Sequence, residues 1–239
     1  MKAVQINNVS KAYFTSEGKK TALENITFSL DEGSLSVIGG ENGSGKSVLM
    51  NIISGLEKPD SGSVITSGRT GLVFQEADTQ ILGETVEEDI SFGPDNLNFS
   101  KEKKESAIEN ALETTALSAK RNYPARFLSG GEKRRLAVAG IIAMDNSIII
   151  FDEPYANLDF GGVKQVNSLI KKLKEQKKTV IILTHELEKC LALADNFIVL
   201  FRGKKVFEGK PSDAIKENLE QWNIKNPLAR YEKIEDMVW

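Results

Sequence analysis

Apolar and polar positions alternate along the first part of the chain. Val4, Ile6 and Val9 make one such run, and residues 22–30 make another through Leu23, Ile26, Phe28 and Leu30, so two strands are predicted there. Glu17-Gly18 signals a turn between them. Residues 34–38 form a compact apolar strand that runs into a glycine-rich stretch, residues 39–45. The spacing then becomes helical over residues 47–54, through Leu49, Ile52 and Ile53, with Gly55 placed to cap the C-terminus. Pro59-Asp60-Ser61-Gly62 reads as a turn, and residues 71–74 as a further strand.

The texture changes between about residues 75 and 139. Residues 101–117 are charged, with Ala107, Ile108, Ala111, Leu112 and Leu117 on one helical face, which predicts a helical lobe (about 76–139) inserted between strands. Alternation of buried-type strands with helices then returns: a strand at 148–151, a helix at 163–175, a strand at 180–183, a helix from Glu186, and a strand at 197–200. Strands of that kind between helices imply an α/β fold with a mainly parallel core sheet, carrying an N-terminal antiparallel β subdomain and the inserted lobe. Residues 211–239 read as a short helix and an aromatic-ended tail.

Composition narrows the class. The 239 residues are 40% hydrophobic and 27% charged, as expected of a folded soluble chain. A net charge of -3 gives no general attraction to nucleic acid or anionic lipid. The single cysteine, Cys190, excludes an internal disulfide and falls in a helix-like run that suggests core packing. Apolar runs are strand-length, so a cytoplasmic chain is expected whose membrane role, if any, comes through a partner.

Gly40, Glu41, Asn42, Gly43, Ser44, Gly45, Lys46 and Ser47 match G-x-x-x-x-G-K-[ST], after a predicted strand and at the start of a predicted helix. Glycines let the backbone wrap close to phosphates, and the amides and helix N-terminus favour an anion. Lys46 is expected to reach the β- and γ-phosphates of ATP, and the Ser47 hydroxyl to ligate Mg²⁺. Further on, the 148–151 strand runs into Asp152 and Glu153. Neighbouring side chains on a strand point apart, so the two acids are given different tasks: Asp152 in the magnesium shell, Glu153 facing the γ-phosphate to orient and deprotonate water. Ser129, Gly130, Gly131 and Glu132, followed by Lys133-Arg134-Arg135, read by themselves as a capping box onto a surface helix; their position at a helix start, about twenty residues before the acid pair, favours a second anion site.

With these motifs in this order the chain resembles the ATP-binding subunits of ABC transporters, over nearly all of residues 1–210. The resemblance implies a head-to-tail dimer with two ATPs in the interface, where Ser129, Gly130, Gly131 and Glu132 of one subunit close on the phosphates of the other. It further implies that Tyr13 stacks on adenine, that Gln75 joins the Mg²⁺ shell and senses the transmembrane partner, and that Asn157 and Asp159 form the loop that speaks across the dimer. His185, in Leu183-Thr184-His185, matches the switch histidine at the γ-phosphate. There are departures. Val48 stands where the family usually has threonine, Glu132 where glutamine is commoner, and Ala156-Asn157-Leu158-Asp159 differs slightly from the usual loop.

Residues 78–94, followed by Asn96-Leu97, resemble more narrowly the ATPases of energy-coupling factor transporters, importers of vitamins, cobalt and nickel. In those proteins this region forms a groove for helices of an integral-membrane coupling protein, and Pro94 is expected to break the preceding helix and shape it. The implied partners are a second ATPase subunit, that coupling protein and a substrate-binding membrane subunit, with the chain peripheral at the cytoplasmic face. Two other readings compete. A soluble ABC ATPase acting on nucleic acid generally carries two cassettes or a long insertion, and this chain has one phosphate loop. A regulatory nucleotide-binding module without turnover is opposed by Glu153, His185 and Gln75.

Overall fold

The computed structural model describes residues 1–16, 18–229 and 233; Glu17 of the expected turn and the aromatic end of the tail lie outside them. The chain opens with an antiparallel hairpin of β1 (Lys2–Thr15) and β2 (Gly18–Asp31), closed by the pair Thr15↔Gly18. After β3 (Leu35–Gly39) and α1 (Lys46–Ile53), β4 (Ser61–Thr66) returns to the free edge of β1, giving a three-stranded sheet ordered β2-β1-β4. The pattern did not predict β4, because Val64 and Ile65 alone carry its apolar signal and pairing with β1 decides its state. Gly55 takes φ 77° just past α1 and donates its amide to the Ile52 carbonyl, the cap its position suggested.

The second sheet has six strands. β5 (Thr70–Val73) is followed by the helical segment, α2 (Val86–Asn96), α3 (Lys101–Thr115) and α4 (Gly130–Ala143), and then by β6 (Ile148–Asp152), α5 (Phe160–Glu175), β7 (Thr179–Thr184), β8 (Asn196–Phe201), β9 (Lys204–Gly209) and the four-residue α6 (Pro211–Ala214). The order is β5-β6-β7-β3-β8-β9, parallel except for the antiparallel β8-β9 pair. β3 and β7 are buried along their whole length, as a parallel sheet covered on both faces requires. Successive residues of β6 divide between the faces. Ile149 and Phe151 pack with the helices of the lobe and α5, whereas Ile148 and Ile150 pack with α1 and the antiparallel sheet.

Two expectations need correction, and one further strand was missed. Residues 186–194 form no α-helix but two 3-10 turns, Leu187–Lys189 and Leu191–Leu193, separated at Cys190, whose φ of -142° is incompatible with a continuous helix. Cys190 is nevertheless buried, and burial raises its thiol to about 12. Pro94 does not end α2: it lies inside the last turn, and its carbonyl accepts from the Phe99 amide. β9, rich in lysine, was not predicted; it forms by pairing with β8.

Candidate active site

The glycine-rich loop leaves the end of β3 in the middle of the parallel sheet. Gly40 has φ 153°, and a β-carbon there would lie 2.3 Å from the Leu200 carbonyl oxygen; at Gly45, φ 105°, one would lie 2.6 Å from that of Ala22. No side chain fits at either place, so the backbone runs close against its neighbours. Gly45 is also the N-cap of α1, and no side chain accepts from the first amides of that helix, which leaves a helix N-terminus free for an anion.

Lys46 is buried below the loop. Its Nζ donates to the carbonyls of Gly40 (2.7 Å) and Glu41 (3.0 Å) and stands 4.0 Å from Glu153 Oε1. Burial pulls its pKa down, opposed by the charges of Glu153, Asp152 and Glu41. The ammonium is therefore held among oxygens at the point where a polyphosphate would meet the loop.

The two acids sit where β6 ends. Asp152, half-buried, has its pKa raised by desolvation and by the neighbouring Glu153. Glu153 turns into the left-handed region (φ 44°), costly for a non-glycine residue, while its amide bonds the Leu183 carbonyl on β7 (2.8 Å). Its buried carboxylate is held from the end of β7. Thr184 Oγ1 donates to Oε2 at 2.9 Å, the His185 amide lies 3.4 Å from the same oxygen, and His185 Nδ1 lies 3.0 Å from Oε1.

One cavity of about 460 Å³ gathers these groups: Tyr13, Asn42, Gly43, Gly45, Lys46, Ser47, Val48, Gln75, Asp152 and Glu153 all line it. His185 joins through its contact with Glu153. Ser129, Gly130, Gly131, Glu132, Asn157 and Asp159 do not line this cavity. Ser129 and Gly130 are exposed at the start of α4, where Ser129 and Glu132 close a capping box: Glu132 Oε2 accepts from the Ser129 amide at 2.9 Å. Lys120, 2.6 Å away, and the Ser129 amide hold the Glu132 carboxyl at about 2. Asp159 caps α5 through the Gly162 amide (2.7 Å), and Asn157 is exposed with φ 59°.

Three supporting residues escaped the sequence reading. Glu57 accepts from the Tyr13 hydroxyl at 2.7 Å and pairs with Lys11 at 3.1 Å. Arg134 reaches the carbonyls of Pro154 (2.7 Å), Gln75 (3.2 Å) and Ala156 (3.3 Å), tying the loop after β5 to the loop after Glu153. Thr184 holds Glu153 from a strand 31 residues further on. Only the run Lys133-Arg134-Arg135 gave a signal in advance.

Residues 23–156 match the family described as ABC transporter. The chain belongs to it. This ABC transporter family member is 37% identical over 224 residues to the energy-coupling factor transporter ATP-binding protein EcfA2 of Methanospirillum hungatei, covering 87% of its own length and 56% of that relative, about half. It is 38% identical over 225 residues to EcfA1 of Clostridioides difficile, covering 88% and 81%. Among solved structures it resembles cbiO1 from Clostridium perfringens, described as part of the ABC transporter complex cbiONQ (TM-score 0.82, 29% identity, 95% and 96% covered). It also resembles the dimeric ATP-binding cassette MJ0796 in a post-hydrolysis state with ADP and Pi (TM-score 0.76, 29% identity, 87% and 98% covered). The α/β fold expected from the sequence is that of these cassettes.

Proposed function

We propose that this chain hydrolyses Mg-ATP as one of two ATPase subunits of an energy-coupling factor type importer for a vitamin or a transition-metal ion. The observation that carries the reading is the Lys46–Glu153–His185 cluster, of which Lys46 and Glu153 line one cavity together with Ser47, Gln75 and Asp152. Residues 1–210 form the ATPase unit, with residues about 76–139 as its lobe and 211–239 as an appendage. In this reading the loop amides and Lys46 bind the phosphates, and Tyr13 stacks on the base. The hydroxyl, amide and carboxylate oxygens of Ser47, Gln75 and Asp152 suit a hard cation that keeps water and phosphate ligands, so these three would hold Mg²⁺. When bound, the ion neutralises charge on the β- and γ-phosphates. Glu153 orients a water and takes its proton, with His185 beside the γ-phosphate.

Ser129, Gly130, Gly131 and Glu132 belong to the other half of the site. Ser129 and Gly130 are exposed at a helix start, and all four lie outside the cavity of their own chain, so they suit the phosphates held by a second subunit, with Asn157 and Asp159 across the same seam. The membrane contact lies elsewhere. A cavity of about 290 Å³ between α2 and α4 is lined by Leu82, Phe92, Gly93, Leu97, Gly140 and Met144, and Leu82 and Phe92 are 66% and 51% exposed. An apolar helix of the integral-membrane coupling protein suits that groove, and in this reading the chain is peripheral at the cytoplasmic face. Among the described residues no helix is long and apolar enough to cross a membrane itself.

The test is Glu153→Gln. ATP binding should persist while turnover falls about 10²-fold or more, trapping the ATP-bound dimer in size-exclusion chromatography. Unchanged turnover would remove Glu153 from the mechanism.

A further inference from the structure

Residues 211–224, beyond β9, take no part in the chemistry above, yet they pack against β8 and β9, beside the β3 strand that carries the phosphate loop, and touch the loop itself. Ala214, Leu219 and Ile224 are buried in the core. The Trp222 ring lies 6.3 Å from that of Phe207, which lies 6.2 Å from that of Phe197 on β8. Phe197 presses on the end of β3: a β-carbon at Gly39, the residue before the loop, would come 2.8 Å from its ring. The next residue of the tail, Asn223, adopts φ 54°, a conformation asparagine tolerates, and its amide closes a turn onto the Glu220 carbonyl at 3.0 Å. That turn delivers its side-chain Nδ2 to Glu41 Oε2 at 2.6 Å, across 182 residues of sequence.

Glu41 is a pivotal position. Its carbonyl accepts from Lys46 Nζ (3.0 Å) and from the Ser44 amide (3.2 Å), so one peptide group both places the lysine and closes the loop's turn. We propose that Asn223 is a positioning residue for the phosphate loop: the docked tail clamps Glu41 and holds the nucleotide-free loop in its binding shape. Glycine-rich backbone loses much conformational entropy when it orders around a ligand, and a loop already held in place loses less. The clamp therefore acts on Mg-ATP affinity rather than on the chemical step. This inference rests on the ATP-binding reading above.

The test is a double-mutant cycle on the full chain, reading KM and kcat for Mg-ATP and hydrogen exchange of the amides of residues 40–45. Asn223→Asp sets two carboxylates against each other and should raise KM about fivefold with kcat within about twofold. Made in an Glu41→Gln background, the same change should raise KM no more than about twofold, because the new amide at position 41 can donate to the new carboxylate at 223. Asn223→Ala, which adds no charge, should raise KM about threefold and speed exchange across the loop. Equal KM effects in both backgrounds, or no effect of either Asn223 substitution, would overturn the clamp while leaving the ATP-binding reading intact. A wild-type chain without saturable Mg-ATP binding would overturn both.

Discussion

Glu153 Oε1 lies 3.0 Å from His185 Nδ1, and the other oxygen of the same carboxylate accepts a 2.9 Å hydrogen bond from Thr184. The end of β7 thus grips a side chain that the end of β6 presents, and the grip explains how Glu153 keeps φ 44°. Strained conformations persist where surrounding contacts over-determine them.

Thr184 makes a first prediction. Its buried hydroxyl also accepts from the Glu186 amide at 3.0 Å, so one atom braces both Glu153 and the loop bearing His185. Thr184→Val should keep the volume, leave KM for ATP within about twofold and lower kcat about tenfold, as a lost hydrogen bond of about 1–1.5 kcal/mol in the transition state requires. Thr184→Ser should restore most of kcat. A parallel loss in KM and kcat for Thr184→Val would point to general loosening instead.

The hold of Glu57 on Tyr13 predicts an effect at the other end of the cavity. Glu57→Ala frees the phenol and unpairs Lys11 from one of its two carboxylates. We expect a rise of about three- to tenfold in the Kd for ATP, and a smaller one for inorganic triphosphate, which has no base to stack. Equal losses for the two ligands would separate Glu57 from base binding.

The capping box of α4 carries a pH signature. Glu132 is lowered from 4.5 to about 2, chiefly by its hydrogen bond with Lys120 and then by the Ser129 amide. Its contribution to stability is complete above about pH 4.5 and fades as pH falls toward 2. Glu132→Gln keeps an acceptor for the Ser129 amide but removes the titration. Its acid-unfolding curve should therefore be shallower than that of the wild type across that window, and coincident curves would show that the pair adds no pH dependence.

The groove between α2 and α4 can be filled without touching the ATP site. A β-carbon at Gly140 would meet no atom within 4 Å, so the space in front of it is open. Gly140→Phe should preserve ATP hydrolysis by the isolated chain and abolish co-purification with a multi-spanning membrane protein. Retained co-purification would place the membrane contact on another surface.

Sequence alone settled the parts of this protein whose chemistry is local. A glycine-rich loop between an apolar strand and a helix, a strand ending in Asp152 and Glu153, and a serine-glycine-glycine cap were legible because backbone freedom, period and capping act over a few residues. The weaker strands β4 and β9, and the 3-10 turns around Cys190, were not legible, since neighbouring strands and packing decide them. Folding alone decided which distant atoms hold the site in place: Thr184 against Glu153, Arg134 across two loops, Glu57 under Tyr13 and Asn223 on Glu41. Each of those bonds is set by where the sheet and its helices bring separate parts of the chain together, and no short-range pattern encodes such a meeting.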